Sequence, residues 1–140
     1  MKITLVPSPL QCSAIDYKSS FSRAVELEFS THRQLLISGT ASIDPNGKTV
    51  HQGDAAAQIE LTMKVIGAIL ESREMTWNDT FRAIAYFQDM SFMSLFDDWL
   101  QKNNLRDFPF IVMNADICRD DLLFELELDA VAKITPAMKP

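Results

Sequence analysis

The chain has 140 residues and a mass of 15.8 kDa, the size of one domain, so residues 1–140 are read as a single unit. Its 47% hydrophobic and 23% charged content supports a packed core rather than a disordered chain. A net charge of −6, from 13 basic and 19 acidic side chains with no Lys/Arg cluster, offers no cationic footprint for phosphate and weighs against DNA or RNA as the main partner.

In chain order, Lys2 opens a brief apolar run that Pro7 and Pro9 break well short of a signal-peptide core. The first twenty residues read as a short strand followed by loop, with turn-prone clusters at Pro7-Ser8-Pro9, Ser13 and Ser19-Ser20. Ala24–Phe29 alternates Val25, Leu27 and Phe29 against Glu26 and Glu28, which predicts a strand with the two glutamates on its exposed side. Leu35–Ala41 is a more continuously apolar strand containing Gly39, and Asp44-Pro45-Asn46-Gly47 follows as an explicit turn.

Asp54 has the chemistry of an N-cap for a helix from Ala55 to about Arg73, with Ile59, Met63, Ile66 and Leu70 on one face. Thr80–Phe87 reads as a strand. Ser91 is the expected cap of a second helix whose Leu95, Phe96 and Trp99 turn inward. Phe110–Ala115 and Leu122–Ile134 complete the set as strands, and Pro136 to Pro140 forms a loose tail. The order β-β-β-α-β-α-β-β defines an α+β protein. Two helices cover one face of such a sheet, yet Leu35-Leu36-Ile37 and Phe110-Ile111-Val112-Met113 are apolar on both faces. A second copy of the chain is the simplest cover, so a homo-oligomer is expected.

The final strand holds the best chemical candidates. Glu125, Glu127 and Asp129 project to one side, roughly 7 Å apart per step, while Leu126, Leu128 and Ala130 fill the other. Any of these carboxylates that is buried should have a raised pKa and could serve as a general acid. The same spacing also describes a solvated strand face. Arg119 could hold a substrate carboxylate bidentately or pair with Asp116 or Asp120, and Cys118 beside it reads by default as a buried structural thiol.

Other chemistries find little support. Cys12 and Cys118 form neither a disulfide framework nor a CxxC pattern. His32 and His51 are isolated surface residues outside any metal-ligand spacing, and four glycines supply no phosphate loop. Ser38-Gly39 is no nucleophile elbow, and Met63, Met75, Met90, Met93 and Met113 read as core filler. No apolar stretch reaches bilayer length. A reduced cytoplasmic protein, without metal or cofactor and with no membrane contact, is the expectation.

Taken together, the motifs resemble the Rid family (YjgF-like, or L-PSP endoribonuclease-like, proteins). The ordered set runs from Leu36-Ile37-Ser38-Gly39 and Asp44-Pro45-Asn46-Gly47 through Gly53-Asp54 and Gln58, Phe87 and Asp89, and Pro109. It ends at Glu127-Leu128-Asp129-Ala130-Val131-Ala132. The resemblance implies a chorismate-mutase-like fold, a mixed sheet with two helices on one face, assembled as a homotrimer with small-molecule pockets between subunits. In the imine-hydrolysing branch, an arginine two residues after the matched proline holds the substrate carboxylate, and a tyrosine and a glutamate complete the site. The corresponding residues here are Ile111, Phe21 and Glu127, so deaminase activity is expected to be weak or absent.

Phe21-Ser22-Arg23-Ala24, Ser38-Gly39-Thr40-Ala41-Ser42-Ile43, Ala115-Asp116-Ile117-Cys118-Arg119 and Leu122-Leu123-Phe124-Glu125-Leu126-Glu127 also look like motifs of chorismatases, longer relatives of the same fold. That likeness implies a glutamate, here Glu127, as general acid toward an enolpyruvyl group, with Arg119 standing in for the missing arginine. The candidate set is therefore Glu127 and Arg119 as catalytic residues, with Phe21, Gly39, Tyr86, Ile111 and Cys118 as substrate-binding residues. The function expected is binding of a small carboxylate-bearing metabolite at a subunit interface, with hydrolysis or protonation of it. The other reading is a non-catalytic ligand-binding or regulatory protein. Endoribonuclease action is the least supported, because the chain is acidic.

Overall fold

A computed structural model describes residues 1–17 and 20–134; Ser19 of the expected turn cluster and the Pro136–Pro140 tail lie outside the described residues. The strands are β1 (Lys2–Val6), β2 (Ala24–Glu28), β3 (His32–Ala41), β4 (Thr80–Phe87), β5 (Ile111–Asn114) and β6 (Phe124–Lys133), and the helices are α1 (Ala55–Ser72) and α2 (Met93–Lys102). They form one six-stranded sheet in the order β1-β2-β3-β6-β4-β5. Only the β4–β5 pairing is parallel, so the sheet is mixed.

Local chemistry explains most boundaries. The Asp54 carboxylate accepts from the Ala57 amide at 3.0 Å and caps α1, as its sequence predicts. The Asp44 carboxylate accepts from the Asn46 and Lys48 amides, and Gly47 closes that turn at φ 81°, where a side chain would be strained. Ser91 is not the cap of α2. Asp89 accepts from the Ser91 amide at 2.8 Å and caps a short 3-10 turn, Met90–Phe92, which leads into the helix. Ser91 sits inside that turn, and α2 itself begins without a side-chain cap.

Both helices lie on one face of the sheet. Ile59, Met63, Ile66, Ile69 and Leu70 of α1 pack on Leu35, Ile37, Leu126, Leu128 and Ala130. Phe96 of α2 is fully buried among Phe87, Phe108, Phe110 and Phe124, with ring centroids 5.1–6.5 Å away. Of the methionines read as filler, Met63 and Met75 are buried, but Met90 and Met113 are exposed. The buried Gln58 amide donates to the carbonyls of His51 and Asp121 and accepts from the Leu123 amide, so it pins the loop before β6 to the start of α1.

One strand reads opposite to its pattern. Glu26 lies on the helix side of β2 and is only 3% exposed, while Val25 and Leu27 lie on the other side. Arg73 at the end of α1 grips Glu26 with two bonds of 2.7 and 2.9 Å, and Arg33 adds one of 3.1 Å. Two guanidinium partners, one on the neighbouring strand β3 and one 47 residues away, make burial of this carboxylate tolerable.

Among the described residues, neither α1 nor α2 covers the opposite face. Ile3 (60% exposed), Leu5 (67%) and Ile111 (59%) stand there with Met113, while Phe110 and Val112 pack toward the core. The apolar character of β5 on both faces is therefore real, and one face is uncovered in the single chain. Among the described residues, no helix is long and apolar enough to cross a membrane.

Candidate functional site

The uncovered face of β6 carries Glu125, Glu127 and Asp129, each half-buried, while Phe124, Leu126, Leu128 and Ala130 fill the core behind them. The row is not a uniformly solvated edge. Asp129 meets Arg82 of β4 at 3.5 Å. Its carboxyl is held above the usual carboxylate range by burial, which outweighs the opposing pull of Arg82. Glu127 accepts a short hydrogen bond from the Tyr86 hydroxyl of β4. That bond, followed by burial and the Glu127 charge, pushes the Tyr86 phenol up to about 12. Glu125 has its carboxyl raised by burial first and by the charge of Glu127 second, against a lowering from Arg23.

The geometry of Glu125 depends on β3. Between the pairs Ile37–Leu128 and Thr40–Leu126, β3 inserts Ser38 and Gly39 opposite the single residue Glu127, a β-bulge. A Cβ on Gly39 would lie 2.8 Å from both Cδ and Oε2 of Glu125, so only glycine leaves that carboxyl its position. A cavity of about 400 Å³ opens here, lined by Phe21, Arg23, Ser38, Gly39, Cys118, Glu125 and Glu127 over an apolar wall of Ala41, Ile43 and Leu122.

Arg23 is the residue that sequence reasoning passed over. It is 5% exposed, its guanidinium carbon sits 4.6 Å from the centre of the Phe21 ring, and its Nη1 donates to Gln11 Oε1 at 2.8 Å. Gln11 is itself fixed through donation to the carbonyls of Ala41 and Ile43. A Phe-x-Arg pair leading into a strand was the available signal.

The structure brings Phe21, Gly39, Cys118 and Glu127 together in one cavity and places Tyr86 against Glu127. Cys118 is exposed, which corrects the buried structural reading: it lines the cavity beside β6 instead of packing in the core. Arg119 faces elsewhere in the single chain. Its Nη1 meets Thr49 Oγ1 at 3.2 Å, and it lines a shallow depression with Gly47, Lys48, Gln52 and Asp121. Ile111 is on the edge strand β5 and does not line the cavity of its own chain. Among the described residues, no group of three or more His, Cys, Asp or Glu is placed to hold a metal ion.

The sequence profile of the Endoribonuclease L-PSP family matches residues 12–132, which span the cavity and the whole helical layer. The chain belongs to the Rid family. Solved structures of this fold agree. The YjgF gene product of Escherichia coli superposes with a TM-score of 0.71 at 16% identity, covering 91% of this chain and 98% of its own. A Mycobacterium tuberculosis member of the YjgF/YER057c/UK114 family gives 0.73 at 22%, with 94% and 100% covered. A chorismatase gives 0.77 at 20% over 93% of this chain, but the match spans only 44% of the chorismatase. No curated protein matches the chain. As a Rid-family fold, the mixed sheet with two helices is settled.

Proposed function

We propose that this Rid-family protein binds a small carboxylate-bearing metabolite in the cavity beside β6 and acts on it as a hydrolase of enol or enolpyruvyl compounds. The observation that carries the reading is the pairing, in one cavity, of a buried guanidinium (Arg23) with two adjacent carboxyls, of which Glu125 is pushed toward its protonated form. Arg23 supplies an anion anchor, and the carboxyls supply a proton donor and acceptor within reach of the same ligand. The experiment is calorimetric titration with pyruvate, together with assay of pyruvate release from chorismate. Saturable binding and pyruvate release are expected; absence of both would overturn the reading. Binding without release would select the non-catalytic alternative, which Ile111 and the separate position of Arg119 favour.

Imine deaminase activity should be weak. Ile111 offers no charge for a substrate carboxylate, and Phe21 has no hydroxyl. Hydrolysis of 2-iminopropionate is expected near the uncatalysed rate, and turnover typical of active deaminases would refute this.

The assembly proposed is a homotrimer. The exposed Ile3, Leu5, Ile111 and Met113 would be buried, and Ile111 would add an apolar wall to a neighbour's cavity. Sedimentation equilibrium should return three times the 15.8 kDa chain mass; a monomer would remove the shared pocket. The acidic balance continues to disfavour RNA cleavage.

A further inference from the structure

We propose that the chain has a second small-molecule site, on the helix side of the sheet, which takes a free α-amino acid with a polar, uncharged side chain. A cavity of about 540 Å³ opens where the 3-10 turn Trp77–Asp79 meets the loop between α2 and β5. Trp77, Asn78, Thr80, Arg106, Asp107 and Phe108 line it, and it shares no residue with the cavity beside β6. Thr80 opposes the core residue Ala130 in the β4–β6 register, and Trp77 packs edge-on against Trp99 of α2 and against Phe108. The cavity therefore belongs to the helical layer.

Its buried end holds an unmet hydrogen-bonding group. Thr80 is only 8% exposed, yet its hydroxyl has no hydrogen-bond partner among the described residues. A buried polar atom left unsatisfied carries a desolvation cost, which a ligand reaching it through the cavity removes. The walls are held in place. The Thr76 hydroxyl accepts from the Asn78 amide and the Asp79 carboxylate from the Thr76 amide, which caps the 3-10 turn. On the other side Asn104 takes a left-handed φ of 57° after α2, and the Leu105 amide donates to the Leu100 carbonyl. The Phe108 amide donates back to the Leu105 carbonyl at 3.1 Å, and both residues pack against the core. Arg106 and Asp107 thus stand at the tip of a pinned β-turn.

The charges at that tip decide the class of ligand. Arg106 and Asp107 line one cavity with opposite sign, and neither forms an ion pair or side-chain hydrogen bond among the described residues. A simple anion would meet the carboxylate, and a simple cation the guanidinium. An α-amino acid carries both charges on one carbon, which suits opposite charges on consecutive residues whose Cα atoms are about 3.8 Å apart. Arg106 donates to its carboxylate and Asp107 accepts from its ammonium. The ligand side chain then runs past Trp77 toward the Thr80 hydroxyl and the Asn78 amide, each able to donate and accept. A hydroxyl or amide side chain satisfies both, whereas an aliphatic one leaves Thr80 unmet.

The probe is L-glutamine. Calorimetric titration of the full chain should show saturable binding with a Kd of about 1 mM or tighter, and absence of binding overturns the proposal. Affinity should fall about 10-fold or more in Arg106→Gln and in Asp107→Asn; full affinity in either variant overturns the two-charge assignment. N-Acetyl-L-glutamine, which lacks the ammonium, should bind wild type about 10-fold more weakly and lose nothing further in Asp107→Asn. Glucose that bound as tightly as glutamine would make this a polyol site and overturn the amino-acid reading. Thr80→Val separates a ligand role from a structural one. The hydroxyl it removes is unpartnered in the folded chain, so the variant should melt no lower than wild type while losing about 5-fold or more in glutamine affinity. A lower melting temperature with unchanged affinity would remove Thr80 from the site. The indole N–H resonance of Trp77, assigned by its absence in Trp77→Phe, should shift as glutamine is added, and pyruvate should not displace the amino acid. Displacement by pyruvate would put glutamine in the cavity beside β6 and overturn the second site.

Discussion

Replacing Glu26 with alanine is expected to lower stability by about 3–5 kcal/mol, the cost of breaking a buried ion pair by removing one partner. The variant leaves Arg33 and Arg73 beside each other at the junction of β2, β3 and the end of α1 without the carboxylate that bonds both of them. Arg73 also holds the α1 terminus to the sheet, so the loss reaches the helix itself. Urea unfolding at pH 7 measures it, and a change under 1 kcal/mol would show that the triad is immaterial. The pH dependence carries a definite sign. The Arg73 hydrogen bond, more than any other contact, holds the Glu26 carboxyl below its ordinary 4.5, with burial opposing. Its stabilisation is therefore complete above that value and is lost as pH falls through the lower folded pKa. The difference between wild type and Glu26→Ala should accordingly shrink as pH falls below the ordinary 4.5 and through the lower folded pKa. A gap that widened there would contradict the assignment.

Replacing Arg23 with methionine should weaken pyruvate binding by about 10- to 150-fold, the range for losing hydrogen bonds to a charged group. Methionine keeps most of the side chain's volume over the Phe21 ring but removes the guanidinium. The Gln11 side chain loses its Arg23 partner but keeps its bonds to the Ala41 and Ile43 carbonyls, so the local backbone should hold. Calorimetric titration reads the affinity, and circular dichroism checks the fold. Unchanged affinity with an intact fold would move the anion anchor elsewhere, and Arg119 would then be the next candidate, reached through a neighbouring subunit.

The order of elements was legible because local chemistry enforces it. Asp54 caps α1 with its own carboxylate, the Asp44–Gly47 turn closes on side-chain and glycine geometry, and the α1 face repeats at helical spacing. Half of the candidate site was legible too. The alternation of β6 places Glu125, Glu127 and Asp129 on one side whatever the neighbours are. What alternation lacks is knowledge of which side is which. In β2 the side with two glutamates looks solvent-facing, yet Glu26 is buried because Arg33 of the adjacent strand and Arg73 from the end of α1 meet it there.

The same limit applies along the acidic final strand. Sequence alone determines its row of carboxylates, its apolar backing and its place in a Rid-family domain, since period, turn chemistry and motif order are local properties of the chain. Only the tertiary structure decides that Tyr86 engages Glu127, that the Gly39 bulge admits Glu125 and that Arg23 completes the cavity while Arg119 faces another depression. Those relations cross between strands β2, β3, β4 and β6, and the charge a carboxyl carries depends on which groups the fold sets beside it.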